Sequence, residues 1–143
     1  MNMLKEDLFQ NDSAALYYLS DLEAIYLELK GSVDTADYKE VYNQLLKFII
    51  SKDIKAVIAD QTKSKGSSME ARAWLIVKWL PELKKQVGNK KILIAGVSEA
   101  KIGMKKFIGQ YLEQTFKKVT PFPIESFESV DDAIRWIKAH QNL

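Results

Sequence analysis

Ile54-Lys55-Ala56-Val57-Ile58-Ala59-Asp60 is a short apolar run closed by a carboxylate. It is too short for a core helix and rich in β-formers. It reads as a buried strand ending near Ala59. Lys91-Ile92-Leu93-Ile94-Ala95-Gly96 repeats the pattern. Between them lies a helical stretch, and strands joined by helices require parallel, right-handed crossovers.

The outward reading adds elements on both sides. Ala14-Ala15-Leu16-Tyr17-Tyr18-Leu19, the turn Ser20-Asp21, and Glu23-Ala24-Ile25-Tyr26-Leu27-Glu28-Leu29 form an antiparallel hairpin, closed by Gly31. Tyr38, Val41, Tyr42, Leu45, Leu46 and Ile49 recur at helical spacing over about residues 35–52, after a cap at Asp34 or Thr35. Gln61 to Gly66 reads as a polar loop. Ser67-Ser68-Met69-Glu70 has capping-box form. The helix it opens is apolar almost all round, with Ala71, Trp74, Leu75, Val77, Trp79 and Leu80. Pro81 should kink or break it, and Gly88 should stop it. Ser98 caps a further helix whose inner face is Met104, Phe107, Ile108, Tyr111, Leu112 and Thr115. Residues 122–127 give a last strand, placed at an edge by Pro121 just before it and Pro123 within it. Ser129 caps a final helix carrying Ala133, Ile134, Trp136 and Ile137. The order is ββαβαβαβα. The fold class is α/β, a mixed sheet of about five strands with four helices. The expectation is a single domain over residues 1–143, with 1–13 a loosely ordered arm.

The composition limits the chemistry. The chain has 143 residues, 47% of them hydrophobic and 28% charged. Such a chain can bury a core without staples. It contains no cysteine, which removes disulfides and thiolate chemistry. No signal peptide or membrane span is visible, and the expected location is the cytoplasm. Net charge is +2, but residues 1–53 hold ten acids and five lysines, while 84–118 hold nine lysines and two glutamates. That asymmetry can steer an acidic partner or pair two faces of a dimer, or simply cover solvated helices. Arg72 and Arg135 are the only arginines, which argues against sequence-specific nucleic-acid readout.

Ligands of open α/β sheets gather beyond the carboxyl ends of the strands. Asp60, Lys63, Lys65, Gly66 and Ser98 are the expected binding edge, able to attract an anion at helix starts. The alternative is that the serines are simple caps and the lysines are solvated. Asp60 could bind a metal, act as a base or, as expected, cap a local turn; with no second carboxylate close in sequence, a general acid–base pair is not indicated. The only histidine, His140, sits near the end and gives no triad. Neither a Walker motif nor a dinucleotide fingerprint is present, so no cofactor, metal or catalytic residue is assigned. Trp74 and Trp79, interrupted by Lys78, mark either core packing or an apolar pocket or dimer surface.

The hairpin, the helix after Gly31, and Val57-Ile58-Ala59-Asp60 resemble the STAS domain group. The resemblance is strongest to its SpoIIAA-like branch of small stand-alone bacterial proteins. Asp60, the polar segment 61–68, Trp74, Phe127-Glu128-Ser129, Ala133 and Trp136 carry it, over about residues 14–140. The resemblance implies a SpoIIAA/STAS-like sheet and a non-enzymatic regulatory, protein-binding module like the anti-sigma-factor antagonists. It implies a phospho-acceptor serine at the helix start, for which Ser67 and Ser68 stand in position. Here Gly66, not the aspartate usual in that group, precedes the pair. The partner would be another protein or a second copy. The alternative function is a carrier or sensor of a small apolar or anionic ligand.

Overall fold

The computed structural model describes residues 4–98, 114 and 122–141. Six strands form one sheet in the order β1-β2-β3-β4-β5-β6: β1 is Lys5–Gln10, β2 Ala14–Leu19, β3 Ala24–Val33, β4 Ala56–Ser67, β5 Leu93–Val97 and β6 Ile124–Phe127. The first three strands pair antiparallel, and β3 through β6 pair parallel. The expected SpoIIAA/STAS-like mixed sheet is therefore present, with one strand more than the reading above.

That extra strand is β1, which replaces the expected loose arm. Its side chains are mostly exposed, so it looks polar in sequence. Its backbone is nonetheless paired with β2, from Lys5 opposite Leu19 to Gln10 opposite Ala15. Leu8 and Phe9 pack against the core. The Lys5 ammonium lies over the Tyr17 ring, 4.4 Å from its centroid.

Helix α1, Thr35–Ser51, begins as expected. The Asp34 carboxylate accepts the Asp37 amide at 3.1 Å. Its stripe of Tyr38, Val41, Tyr42, Leu45 and Ile49 is buried. Helix α2 runs over residues 69–87 as Met69–Trp74, a wide π turn Leu75–Trp79, and Leu80–Val87. The Leu80 amide donates to the Leu75 carbonyl across that turn. The wide turn makes room for the Pro81 ring, which would clash with an ordinary preceding turn. Pro81 therefore widens the helix and does not end it. Gly88, at φ 60°, stops it, with its amide on the Lys84 carbonyl at 3.0 Å.

Helix α3, Val130–Gln141, follows β6. The Ser129 hydroxyl accepts the Asp132 amide at 3.2 Å. The helix expected after Ser98, with Met104, Phe107, Ile108, Tyr111, Leu112 and Thr115, lies outside the described residues.

The sheet separates two cores. On one face Leu16, Ile25, Leu27 and Val57 meet α1 and α2. On the other, Tyr26, Ile58, Ala95 and Val97 meet Ala133, Ile134 and Ile137 of α3. No helix among the described residues is long and apolar enough to cross a membrane.

Candidate functional site

Strands β4 and β5 lie side by side, with Ala59 opposite Gly96 and Asp60 opposite Val97. The segments after Ala59 and Ala95 thus leave the same end of the sheet. The segment after Asp60 is not the expected loop. Strand β4 continues to Ser67, paired with an equally prolonged β3: Lys30 opposite Lys63, Gly31 opposite Ser64, Ser32 opposite Gly66 and Val33 opposite Ser67. Backbone pairing holds this polar ribbon, so no apolar alternation announces it. Register shifts between Glu28 and Lys30 and between Gly31 and Ser32 bend it. Gly66, at φ 128°, takes a conformation that side chains rarely adopt.

Each ribbon strand feeds a helix. Strand β3 leads through Asp34 into α1, and β4 leads through Ser68 into α2, so two helix starts meet. Thr35 Oγ1 and Ser68 Oγ are 2.7 Å apart. Ser68 also accepts the Ala71 amide at 3.0 Å, which makes it the cap of α2. The expected cap, Ser67, is instead the last residue of β4. Ser68→Ala is expected to cost about 1 kcal/mol of stability, the usual loss for an N-cap. Ser67→Ala, at a half-buried strand end, should cost less. Chemical denaturation of both variants checks this order.

Asp60 is 3% exposed. Its Oδ2 accepts the Tyr26 hydroxyl, and its Oδ1 accepts the Thr62 amide at 2.9 Å. The second bond is the turn-capping role expected of it. The first comes from a residue far off in sequence. Burial, then the bond to Asp60 and the nearby negative charge, push the Tyr26 phenol well above its ordinary pKa. Glu28 stands directly opposite Asp60 on β3, and its carboxylate is bridged by Lys63 at 3.2 Å. Tyr17 meets Tyr26 edge to face at 6.0 Å. Tyr26→Phe leaves Asp60 buried with one donor fewer. That is expected to cost about 1.5–3 kcal/mol, as for hydrogen bonds to charged groups. A denaturant midpoint equal to the parent's would contradict it.

No known family profile matches the chain, and no curated protein matches it in sequence. Solved structures do match. An uncharacterized DUF3478-family protein with a SpoIIAA-like fold, from Shewanella loihica, superposes with a TM-score of 0.53 at 17% identity, over 94% of this chain and 93% of its own. The anti-sigma factor antagonist SpoIIAA in its unphosphorylated form gives 0.54 at 12% identity, over 94% and 98%. An anti-sigma factor antagonist from Mycobacterium paratuberculosis gives 0.53 at 12%, over 96% and 95%. The chain has a SpoIIAA-like fold.

The SpoIIAA-like sheet divides the expected site residues between its faces. Asp60 and Lys63 engage Tyr26 and Glu28 on the α3 face. Ser68 opens α2 on the other face. Lys65 and Gly66 are exposed on the ribbon between, and Ser98 is half-buried just past β5, its amide on the Phe127 carbonyl at 3.0 Å. The tryptophans separate too. Trp79 is 5% exposed, and its indole Nε1 donates to the Tyr42 carbonyl at 2.6 Å. It is a core residue, and the apolar pocket or interface expected from Trp74, Lys78 and Trp79 loses it. Trp74 is half-buried and Lys78 exposed.

Tyr26 and Glu28 are read in the sequence only as strand residues and Thr35 only as a possible helix cap, although a signal for their place at the site exists. With Ile25, Leu27 and Leu29 on one side of β3, Tyr26 and Glu28 must occupy the other. Parallel pairing of β3 with β4 then sets Glu28 beside Asp60 and the two helix starts beside each other. What the sequence lacks is the pairing register.

Proposed function

We propose that this chain is a non-enzymatic regulatory module that acts in the cytoplasm by binding another protein, as an anti-sigma-factor-antagonist-like component. The observation that carries this reading is the meeting of two helix starts at one end of the sheet, with Thr35 and Ser68 in contact and Met69 exposed beside them. A surface of residues 61–75 can be read there by a partner. Ser68 is the favoured phospho-acceptor, with Ser67 second. A phosphate on Ser68 would replace its hydroxyl contact with Thr35 and set a double negative charge at two helix starts, where free amides attract anions. Lys65 and Gly66 border that position, and Asp60, Lys63 and Ser98 support the same end of the sheet.

Capture of partners from the native host, with cross-linking and mass spectrometry, tests the reading. Cross-links are expected from Lys63 and Lys65, and Ser68→Glu, which adds a negative charge at the helix start, should change partner recovery about tenfold. Cross-links confined to β1 or α3, or recovery unaffected by Ser68→Glu, would overturn it. Intact-mass measurement of the native protein should show a phosphorylated fraction. Self-cross-links alone would favour a homodimer, and a co-purifying small molecule would favour the carrier reading.

A further inference from the structure

The exposed face of α2 carries an apolar ridge. Met69 is 79% exposed and Val77 64%, and Ala73, also exposed, lies between them at four-residue spacing. Residues four apart share a helix face. Half-buried Ile76 and Trp74 flank the ridge, and Trp74 reaches the core from there. The opposite side of the same helix, Ala71, Leu75, Trp79, Leu80 and Leu83, is already buried. The ridge is therefore surplus to the core packing of α2.

Its borders are basic. Lys65, Arg72 and Lys78 stand near the ridge against one acid, Glu70, while Lys63 is paired with Glu28 on the α3 face. Lys39 lies 3.7 Å from the Glu70 carboxylate and offsets it. Arg72 and Lys78 stand on α2 itself, and Lys65 precedes it on the ribbon. The positive ends of the α1 and α2 dipoles add to this field. The acids at the start of α1 keep their charge and are held locally: Asp34 accepts the Asp37 amide, and Asp37 accepts the Ser13 hydroxyl at 2.9 Å. A second copy of α2 laid on this ridge would set Arg72 and Lys78 against their own kind, which opposes self-association.

We infer that the partner presents an acidic amphipathic helix, which lies along the Met69–Ala73–Val77 ridge with its carboxylates toward Lys65, Arg72 and Lys78. Apolar anchors at helical spacing supply the contact, and the basic border selects the charge. This rests on the interaction reading above and names the chemistry of its partner.

The probe is a fluorescently labelled amphipathic peptide of leucine and glutamate, followed by anisotropy with the full chain. Controls are the same peptide with lysine for glutamate, a scrambled acidic peptide, and vesicles of phosphatidylserine and phosphatidylcholine. The acidic amphipathic peptide is expected to bind, more weakly as salt rises. Val77→Asp and the double change Lys65→Glu, Lys78→Glu should each weaken it about tenfold. All these positions are exposed, and circular dichroism confirms that the variants fold. Equal binding of the lysine or scrambled peptide, no binding of the acidic peptide, or preference for vesicles overturns the inference. So does binding that Val77→Asp leaves unchanged. If the native partner cross-links to residues 61–78 while the acidic peptide fails, the interaction reading survives and the acidic helix falls. A native partner cross-linked elsewhere overturns both.

Discussion

Trp79→Ala is expected to lower the free energy of unfolding by about 3–5 kcal/mol. The ring is almost fully buried and packs edge to face on Tyr42, with centroids 5.2 Å apart. Removing it leaves a cavity between α1 and α2 that the neighbouring side chains cannot fill. It also strips the Tyr42 carbonyl of the indole donor. Domains of this kind are stable by roughly 5–15 kcal/mol, so the change consumes a large share of the total. A fall in melting temperature of about 10–20 °C follows at this chain length. Trp79→Phe separates the two contributions. It loses the N–H and part of the bicycle but keeps an aromatic ring against Tyr42, so it should cost clearly less than Trp79→Ala. Thermal and urea unfolding of both variants measures the difference. Melting within a degree or two of the parent for Trp79→Ala would mean that α2 is not docked through this residue.

Steep loss of stability above pH 10 is the second expectation. Burial raises the Tyr38 phenol well above its ordinary value, helped by Tyr42. Burial also pushes Tyr42 up to about 12, against a lowering bond from Tyr38. Tyr26 is raised by burial and by Asp60. In each case the fold favours the protonated phenol. The unfolded chain releases these protons near pH 10, while the folded chain holds them longer. Above pH 10 the unfolded state therefore binds fewer protons, and stability falls as pH rises. A phenol that the fold keeps protonated contributes a loss of at most about 1.4 kcal/mol per pH unit above pH 10, and the three act in the same direction. Below pH 10 their contribution is fully present. Urea unfolding at about pH 8 and about pH 11, read beside tyrosinate absorbance, checks it. All six phenols of the chain ionising near pH 10 while it is still folded would refute it.

The regular elements were legible because side-chain burial writes them into the sequence. Val57, Ile58 and Ala59 announce β4, and the spacing from Tyr38 to Ile49 announces α1. The elements made by backbone pairing alone were not. Lys5–Gln10 and Gln61–Ser67 are polar strands whose amides are satisfied by neighbours, so neither shows an apolar period. Ser67, three residues before Glu70, fits the capping box better on paper than Ser68. The choice falls on Ser68 because β4 still holds Ser67 in the ribbon. Asp60 was marked, but its phenol partner depends on strand register, which no local spacing encodes. The nearness of the segments following Ala59 and Ala95 was legible, since parallel neighbours must end on the same side.

Strand order in this sheet equals chain order. Among the described residues every strand therefore docks against the one synthesised just before it, and none has to be threaded between two already in place. A chain leaving the ribosome can enlarge its sheet one strand at a time, with each new edge a template for the next. The growing edge is always the newest strand, while β1 remains the fixed outer border throughout.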